Sequence, residues 1–377
     1  MIMHPAIIAL FVGSLLVSCM VLYSARYGIA ILTHWNLQSG SELQLELEKK
    51  TYLVSTIMVY AFAFQLFSLF LFIFTADKLN TLFTGAMCAA GTLNVNGFGY
   101  PALSLKIINF VLGGTWLVMN YADNKAFDYP LIRRKYLFLI VIAPFVIAET
   151  LVQGAYFLNL KPHVITSCCG SLFSPEGDGV RGGMAALPSV PMRIIFYLSI
   201  GFTLLAGSYF YYWGLRRPLC RQKSPEPPAP ASRKCRVPIV HRWVARARRA
   251  HSINSCGGYI GFLFALASVF TFAVSVASLI SFISCYFYEL PTHRCPFCIL
   301  QREYRYIGYL LYIILLVGVV GGTGVGALMP FRGVESLKQI VPLIQKRLTI
   351  MSMASYLLFT MIVTFVMVFT DFRLDGY

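Results

Sequence analysis

Residues 257–328 read GGYIGFLFALASVFTFAVSVASLISFISCYFYELPTHRCPFCILQREYRYIGYLLYIILLVGVVGGTGVGAL. From Gly257 to Tyr286 no residue is charged. A bilayer crossing needs ~20 such residues in a helix, and a second apolar run follows at 304–328. Two crossings in succession with a short polar break between them make this an all-α, polytopic membrane protein.

Working outward, further spans are expected at 5–31, 52–75, 102–121, 136–159, 191–214 and 350–370. A shorter apolar piece at 79–91, carrying Cys88, is half a span long and reads as re-entrant or interfacial. The count is therefore eight or nine. Composition agrees: 58% of the 377 residues are hydrophobic and 12% are charged, against about 25% charged in a soluble domain. Met1 to Pro5 has no basic n-region and no small-residue cleavage site follows, so the first helix is expected to be retained.

The net charge is +16. Eleven of the basic residues lie between Arg216 and Arg249, with Glu226 the one acid among them. Beside membrane spans such a cluster marks the cytoplasmic side and contact with anionic membrane lipid, with no nucleic acid implied. The prolines at 225, 227, 228 and 230 make it a flexible connector. Residues 125–135 and 332–347, both net basic, fall on the same side, and residues 42–50 do so with mixed sign. Arg26 reads as an anchor at the inner interface. Segments 76–101, 161–191 and 286–294 then face outward. Four regions follow: 1–135, a membrane part with the re-entrant piece; 136–215, flanking an outer cysteine loop; 216–250, the connector; and 251–377. None of the six histidines sits mid-span, which argues against a membrane diheme cytochrome.

This topology sorts the ten cysteines. Cys88, Cys168, Cys169, Cys295 and Cys298 lie on the outer side, where disulfides persist. Cys220, Cys235 and Cys256 face inward, Cys19 is mid-span, and Cys285 lies near an outer helix end. Cys295-Pro-Phe-Cys298 stands where a loop meets a span. Pro296 suits a first helical turn, so the pair is expected at a helix N-terminus, where thiolate is favoured. Helical spacing would then set Gln301 and Arg302 on the face of Cys298. An amide and a guanidinium beside a thiolate suit a quinone head group. The same residues also allow a structural disulfide beside a snorkelling arginine. A zinc site at His293, Cys295 and Cys298 would lack ligands, so no metal is expected.

The run Cys295-Pro-Phe-Cys298-Ile-Leu-Gln301-Arg302 resembles the Cys-x-x-Cys-x-x-Gln/Glu-Arg signature of the DsbB family, bacterial membrane thiol:quinone oxidoreductases. That resemblance implies a bacterial inner (cytoplasmic) membrane, and a quinone, ubiquinone or menaquinone, held by Arg302 with Gln301. It gives Cys298 to the quinone and Cys295 to exchange with a second cysteine pair, and it implies a thioredoxin-like periplasmic partner. Here no cysteine follows the motif. A second pair must come from Cys168, Cys169 or Cys88. An outer cysteine loop preceding the motif by two spans is similar to the vitamin K epoxide reductase family, whose four-helix core looks like a circular permutation of DsbB. The implied redox core is spans 136–159, 191–214, 257–286 and 304–328.

Adjacent cysteines rarely bond each other, so Cys168 or Cys169 is expected to pair with Cys88 or exchange with Cys295. Structural disulfides or thiols without a redox role are the alternative. Glu149 and Lys106 lie at membrane depth, where they could pair or move protons. Two other functions fit the sequence: a membrane subunit of a larger complex, and a transporter of thiols or soft metals.

Overall fold

The computed structural model describes residues 4–35, 42–161, 164–166, 169–173, 187–215 and 258–374. The basic connector, with Cys220, Cys235 and Cys256, lies outside these, as does Cys168. The described residues hold helices and no strand. Eight helices are long and apolar enough to cross a membrane: α1 (Pro5–His34), α2 (Glu42–Lys78), α3 (Gly99–Asp123), α4 (Ile132–Leu158), α5 (Ser189–Tyr209), α6 (Gly258–Ser278), α7 (Ile307–Leu328) and α8 (Ile340–Phe369). π-Turns extend α5 through Phe210–Gly214 and α6 through Leu279–Ile283, the latter running into Ser284–Tyr288. The ninth apolar piece forms no spanning helix. It folds into a 3₁₀ turn, Asn80–Leu82, and a short helix, Ala89–Leu93, between α2 and α3.

The helices form two bundles. In the first, α1 packs on α2 and α4, and α3 on α2 and α4. In the second, α6 packs on α5 and α7, and α8 on α7 and α5. The seam between them is α3 against α7. The core expected from the resemblance is therefore not the one observed. The span at 136–159 lies in α4, inside the first bundle, and α8 completes the second.

Small residues explain why α7 sits at the centre. In lipid, helices gain from close backbone approach rather than from leaving water. A Cβ on Gly322 would stand 2.1 Å from Ser268 Oγ, and one on Gly326 would stand 2.6 Å from the Ala265 Cβ. Across the seam Gly114 faces Val320, and Thr115 and Thr323 share a hydrogen bond of 2.8 Å.

Two ion pairs are buried in the first bundle. Lys106 Nζ donates to Glu149 Oε1 and to Ser68 Oγ, each at 2.7 Å. Asn109 and Gln65 donate to the other Glu149 oxygen. The acid and base expected at depth are thus partners, and both carboxylate oxygens are bonded. Nearer the other end, Lys135 Nζ meets Asp123 Oδ2 at 2.7 Å and also donates to Asn120 and Ser55. In sequence this second pair is masked, because Lys135 ends the net-basic segment 125–135.

Candidate thiol site

The Cys-Pro-Phe-Cys segment does not open a helix. Cys298–Leu300 forms one 3₁₀ turn and Arg302–Tyr304 another, with Gln301 extended between them. Arg305 and Tyr306 then take left-handed conformations, φ 53° and 58°, and α7 starts only at Ile307. Such residues cost about 1–3 kcal/mol each, so contacts elsewhere hold the segment. Tyr306 N–H donates to the Gln301 carbonyl at 3.2 Å. Gly308 lies so close that its Cβ would stand 2.9 Å from the Ile299 carbonyl oxygen, which lets the segment fold back onto α7. The expectation that a helix dipole acts on these thiols is corrected accordingly. Nor do Cys298, Gln301 and Arg302 share a helical face.

Two tyrosines missed from the sequence hang the segment between α6 and α7. Tyr288 hydroxyl donates to the Cys295 carbonyl at 2.5 Å and accepts the Ile299 N–H at 2.8 Å. Tyr312 hydroxyl donates to the Pro296 carbonyl. The only signal was spacing: Tyr288 precedes Cys295 by seven residues and Tyr312 follows Cys298 by fourteen.

Cys88 immediately precedes the short Ala89–Leu93 helix. Its sulfur lies 3.6 Å from that of Cys295. The sulfurs of Cys88, Cys295 and Cys298 all lie within 4.8 Å of one another. Cys88 and Cys295 are fully buried, and Cys298 is 6% exposed. A disulfide is ~2.05 Å long, so the Cys88 and Cys295 sulfurs touch and are not bonded. Phe297 closes the site from one side, ringed by Tyr100 and Phe173. Burial, and next the Cys298 thiol, raise the Tyr304 phenol above its ordinary value.

Gln301 reaches away from Cys298 to the Cys88 turn. Its amide donates to the Met87 carbonyl at 2.9 Å and to Asp77 at 3.3 Å. Through the second of these bonds Asp77 ties the motif segment to the end of α2. Like Tyr288 and Tyr312, Asp77 belongs to the site, and no spacing in the sequence marks it. Arg302 is exposed.

The loop holding Cys168 and Cys169 approaches the same turn. Thr166 N–H donates to the Thr84 carbonyl at 3.0 Å, and its hydroxyl donates to the Gly91 carbonyl at 2.9 Å. Gly85 makes this possible: φ is +90°, and a Cβ there would stand 2.2 Å from the Thr166 carbonyl oxygen. The short helix Cys169–Leu172 packs on Ala89–Leu93, and the Phe173 ring stands 6.3 Å from that of Phe297. Cys168 and the Cys169 side chain are outside the described residues, but the chain on both sides of them rests on the site.

No family model matches this chain, and neither a curated protein nor a solved structure matches it. What the site can do is therefore read from its own residues. Three buried sulfurs in mutual contact range can exchange disulfides, or can share one soft cation.

Proposed function

We propose that this chain is a membrane thiol–disulfide oxidoreductase that passes electrons from thiols to a quinone. The observation that carries the reading is the three-sulfur cluster of Cys88, Cys295 and Cys298. Idle cysteines need not converge from segments 207 residues apart. Cys88 also gives the first bundle a part in the chemistry, which the resemblance alone left without a role.

In the oxidised protein two of the three sulfurs are joined. A thiolate of the partner attacks one of them and forms a mixed disulfide, and the other leaves as thiolate. The partner's second thiol then displaces the protein sulfur. The partner leaves as a disulfide, and the protein holds two thiols, two electrons and two protons richer. Cys295, which touches Cys88, is placed to exchange within the cluster, and Cys298 is the sulfur that returns the electrons.

A quinone supplies the sink for two electrons and two protons. The residues present fit it in part. Arg302 is exposed on the turn that follows that of Cys298 and is available to a carbonyl oxygen or to developing negative charge. Tyr309 stands between Phe70 and Tyr306, at 6.4 and 6.3 Å between ring centroids, and offers aromatic faces near that turn. Gln301 could join only by leaving Asp77 and Met87. The partner is proposed to be a thioredoxin-like protein meeting the Cys168 and Cys169 loop, and the setting a bacterial inner membrane with the cysteines on the periplasmic side.

A second reading rests on the same triangle. Three thiolates around a soft cation, with metal–sulfur distances of ~2.3 Å, would place the sulfurs about 4 Å apart, as here. This would make the site a soft-metal carrier.

One assay separates the two. Purified full-length protein in detergent, given dithiothreitol and a soluble quinone, should consume quinone at a rate that Cys298→Ser abolishes. Activity that survives Cys298→Ser removes the oxidoreductase. Stoichiometric Cu(I) binding without quinone turnover selects the carrier.

A further inference from the structure

A cavity of about 320 Å³ opens at the far end of the first bundle from the sulfurs, between the end of α1, the start of α2 and the α3–α4 connection. Nothing in the thiol chemistry uses it. Its walls have a consistent character. Trp35, Tyr52, Tyr60, Phe127 and Tyr129 present aromatic rings, and Glu48 and Asp128 present carboxylates. No lysine or arginine is among the described residues lining it. Of the nearby cations, Lys135 is bound to Asp123 and Arg133 to the Trp35 carbonyl.

Two polar atoms in the lining are buried without a hydrogen-bond partner, Asp128 Oδ1 and Thr51 Oγ1. Thr51 is only 5% exposed. A buried carboxylate oxygen left unpaired is costly, and a cation or donor in the cavity would relieve it. Aromatic faces attract the same kind of charge; Trp35 is buried in the wall, and Tyr52, Tyr60 and Phe127 stand exposed at the mouth. The Thr51 hydroxyl calls for a second polar group on the ligand. Beneath it, Ser55 and Asn120 are engaged by the Lys135 ammonium, so the floor is fixed. Tyr129 takes a left-handed backbone, φ 46°, at the rim.

We propose that this cavity binds an amino alcohol: an organic ammonium between Asp128, Glu48 and the aromatic rings, with its hydroxyl or ester oxygen at Thr51. The ligand could be a free small molecule or the ethanolamine or choline headgroup of a phospholipid. The recognition chemistry is shared, and the test distinguishes the two sources.

Full-length protein in detergent, stripped of lipid, is titrated calorimetrically with choline. In a second arm it is supplied with phosphatidylcholine and phosphatidylglycerol in equal amounts, and retained lipid is measured by native mass spectrometry. Saturable choline binding without phosphatidylcholine retention gives a free ligand. Preferential retention of phosphatidylcholine gives a headgroup. In either case Asp128→Asn should weaken binding at least tenfold and Thr51→Val at least threefold. Glu46→Gln, which removes an acid on α2 outside the cavity, should change it less than twofold. Comparable melting of the variants shows that the fold is intact. The proposal is overturned if neither probe binds saturably, or if Asp128→Asn binds like the parent protein.

Discussion

Cys88 and Cys295 touch through their sulfurs, 3.6 Å apart, although 207 residues of chain separate them. Their segments arrive from different bundles, one from the α2–α3 connection and one from the α6–α7 connection. Disulfide exchange needs sulfurs that can reach one another, and this contact supplies the reach without a large rearrangement. The first consequence is a graded cysteine series. Cys295→Ser and Cys298→Ser should each lower thiol-dependent quinone reduction by at least about 10³-fold, as loss of a nucleophile does. Cys88→Ser should leave more activity than either, because the motif pair survives. Initial rates of quinone absorbance loss measure all three.

The Tyr288 hydroxyl bridges the two ends of the Cys-Pro-Phe-Cys turn. Tyr288→Phe leaves the buried Cys295 carbonyl and Ile299 N–H without it, at about 1–3 kcal/mol for each unsatisfied group. The expected outcome is a lower melting temperature together with faster alkylation of Cys298 by a maleimide. A lower melting temperature with unchanged alkylation would show that the hydroxyl does not shape the turn.

Gly85 and Gly97 lie in the same α2–α3 connection and should respond oppositely. A Cβ on Gly85 meets the Thr166 carbonyl at 2.2 Å, at φ +90°, whereas one on Gly97 meets nothing within 4 Å. Gly85→Ala should displace the loop leading to Cys168 and Cys169. Turnover with a protein dithiol should fall several-fold, while turnover with dithiothreitol, which needs no docking loop, should change little. Gly97→Ala should leave both rates unaltered.

The Lys106–Glu149 pair is buried on both sides, with each side chain at most 2% exposed. Removing one partner of such a pair costs about 3–5 kcal/mol, because a charge is left alone. Lys106→Met and Glu149→Leu should each destabilise strongly, and the double variant less than either. Thermal unfolding in one detergent measures the cycle. Additive losses would show that the two charges do not depend on each other.

Helix contacts offer a fifth test. Gly322→Ala drives a methyl into Ser268 across the α6–α7 contact and should cost about 1–3 kcal/mol. Gly201→Ala in α5, where nothing lies within 4 Å, should instead gain about 0.5–1 kcal/mol from helix propensity.

Much of the fold was legible because a bilayer demands long apolar helices, and composition alone reveals those. The eight spans fall close to their expected places for that reason, and the piece at 79–91 is too short to cross. Which helices pack together was not legible. Lipid-exposed and buried faces are both apolar, so periodicity carries little orientation, and the span at 136–159 was assigned to the wrong bundle. Within the site, Cys88, Cys295 and Cys298 were named from their type and position, but not their meeting. Gln301 and Arg302 were placed by helical spacing, which failed because the left-handed residues Arg305 and Tyr306 delay the helix. Asp77 and Tyr288 act through contacts with distant or folded-back chain, which spacing does not encode. The Lys135–Asp123 pair escaped because both residues stood at span ends among other charges.

The most direct measurement is disulfide mapping after oxidation by quinone alone. Full-length protein is reduced, freed of reductant, and treated anaerobically with a soluble quinone. Its remaining thiols are then blocked and its peptides analysed by mass spectrometry. The account requires one equivalent of hydroquinone per disulfide formed, with the first disulfide drawn from Cys88, Cys295 and Cys298. If those three cysteines are recovered fully alkylated while quinone is consumed, or if quinone is not consumed at all, the cluster is not the electron route.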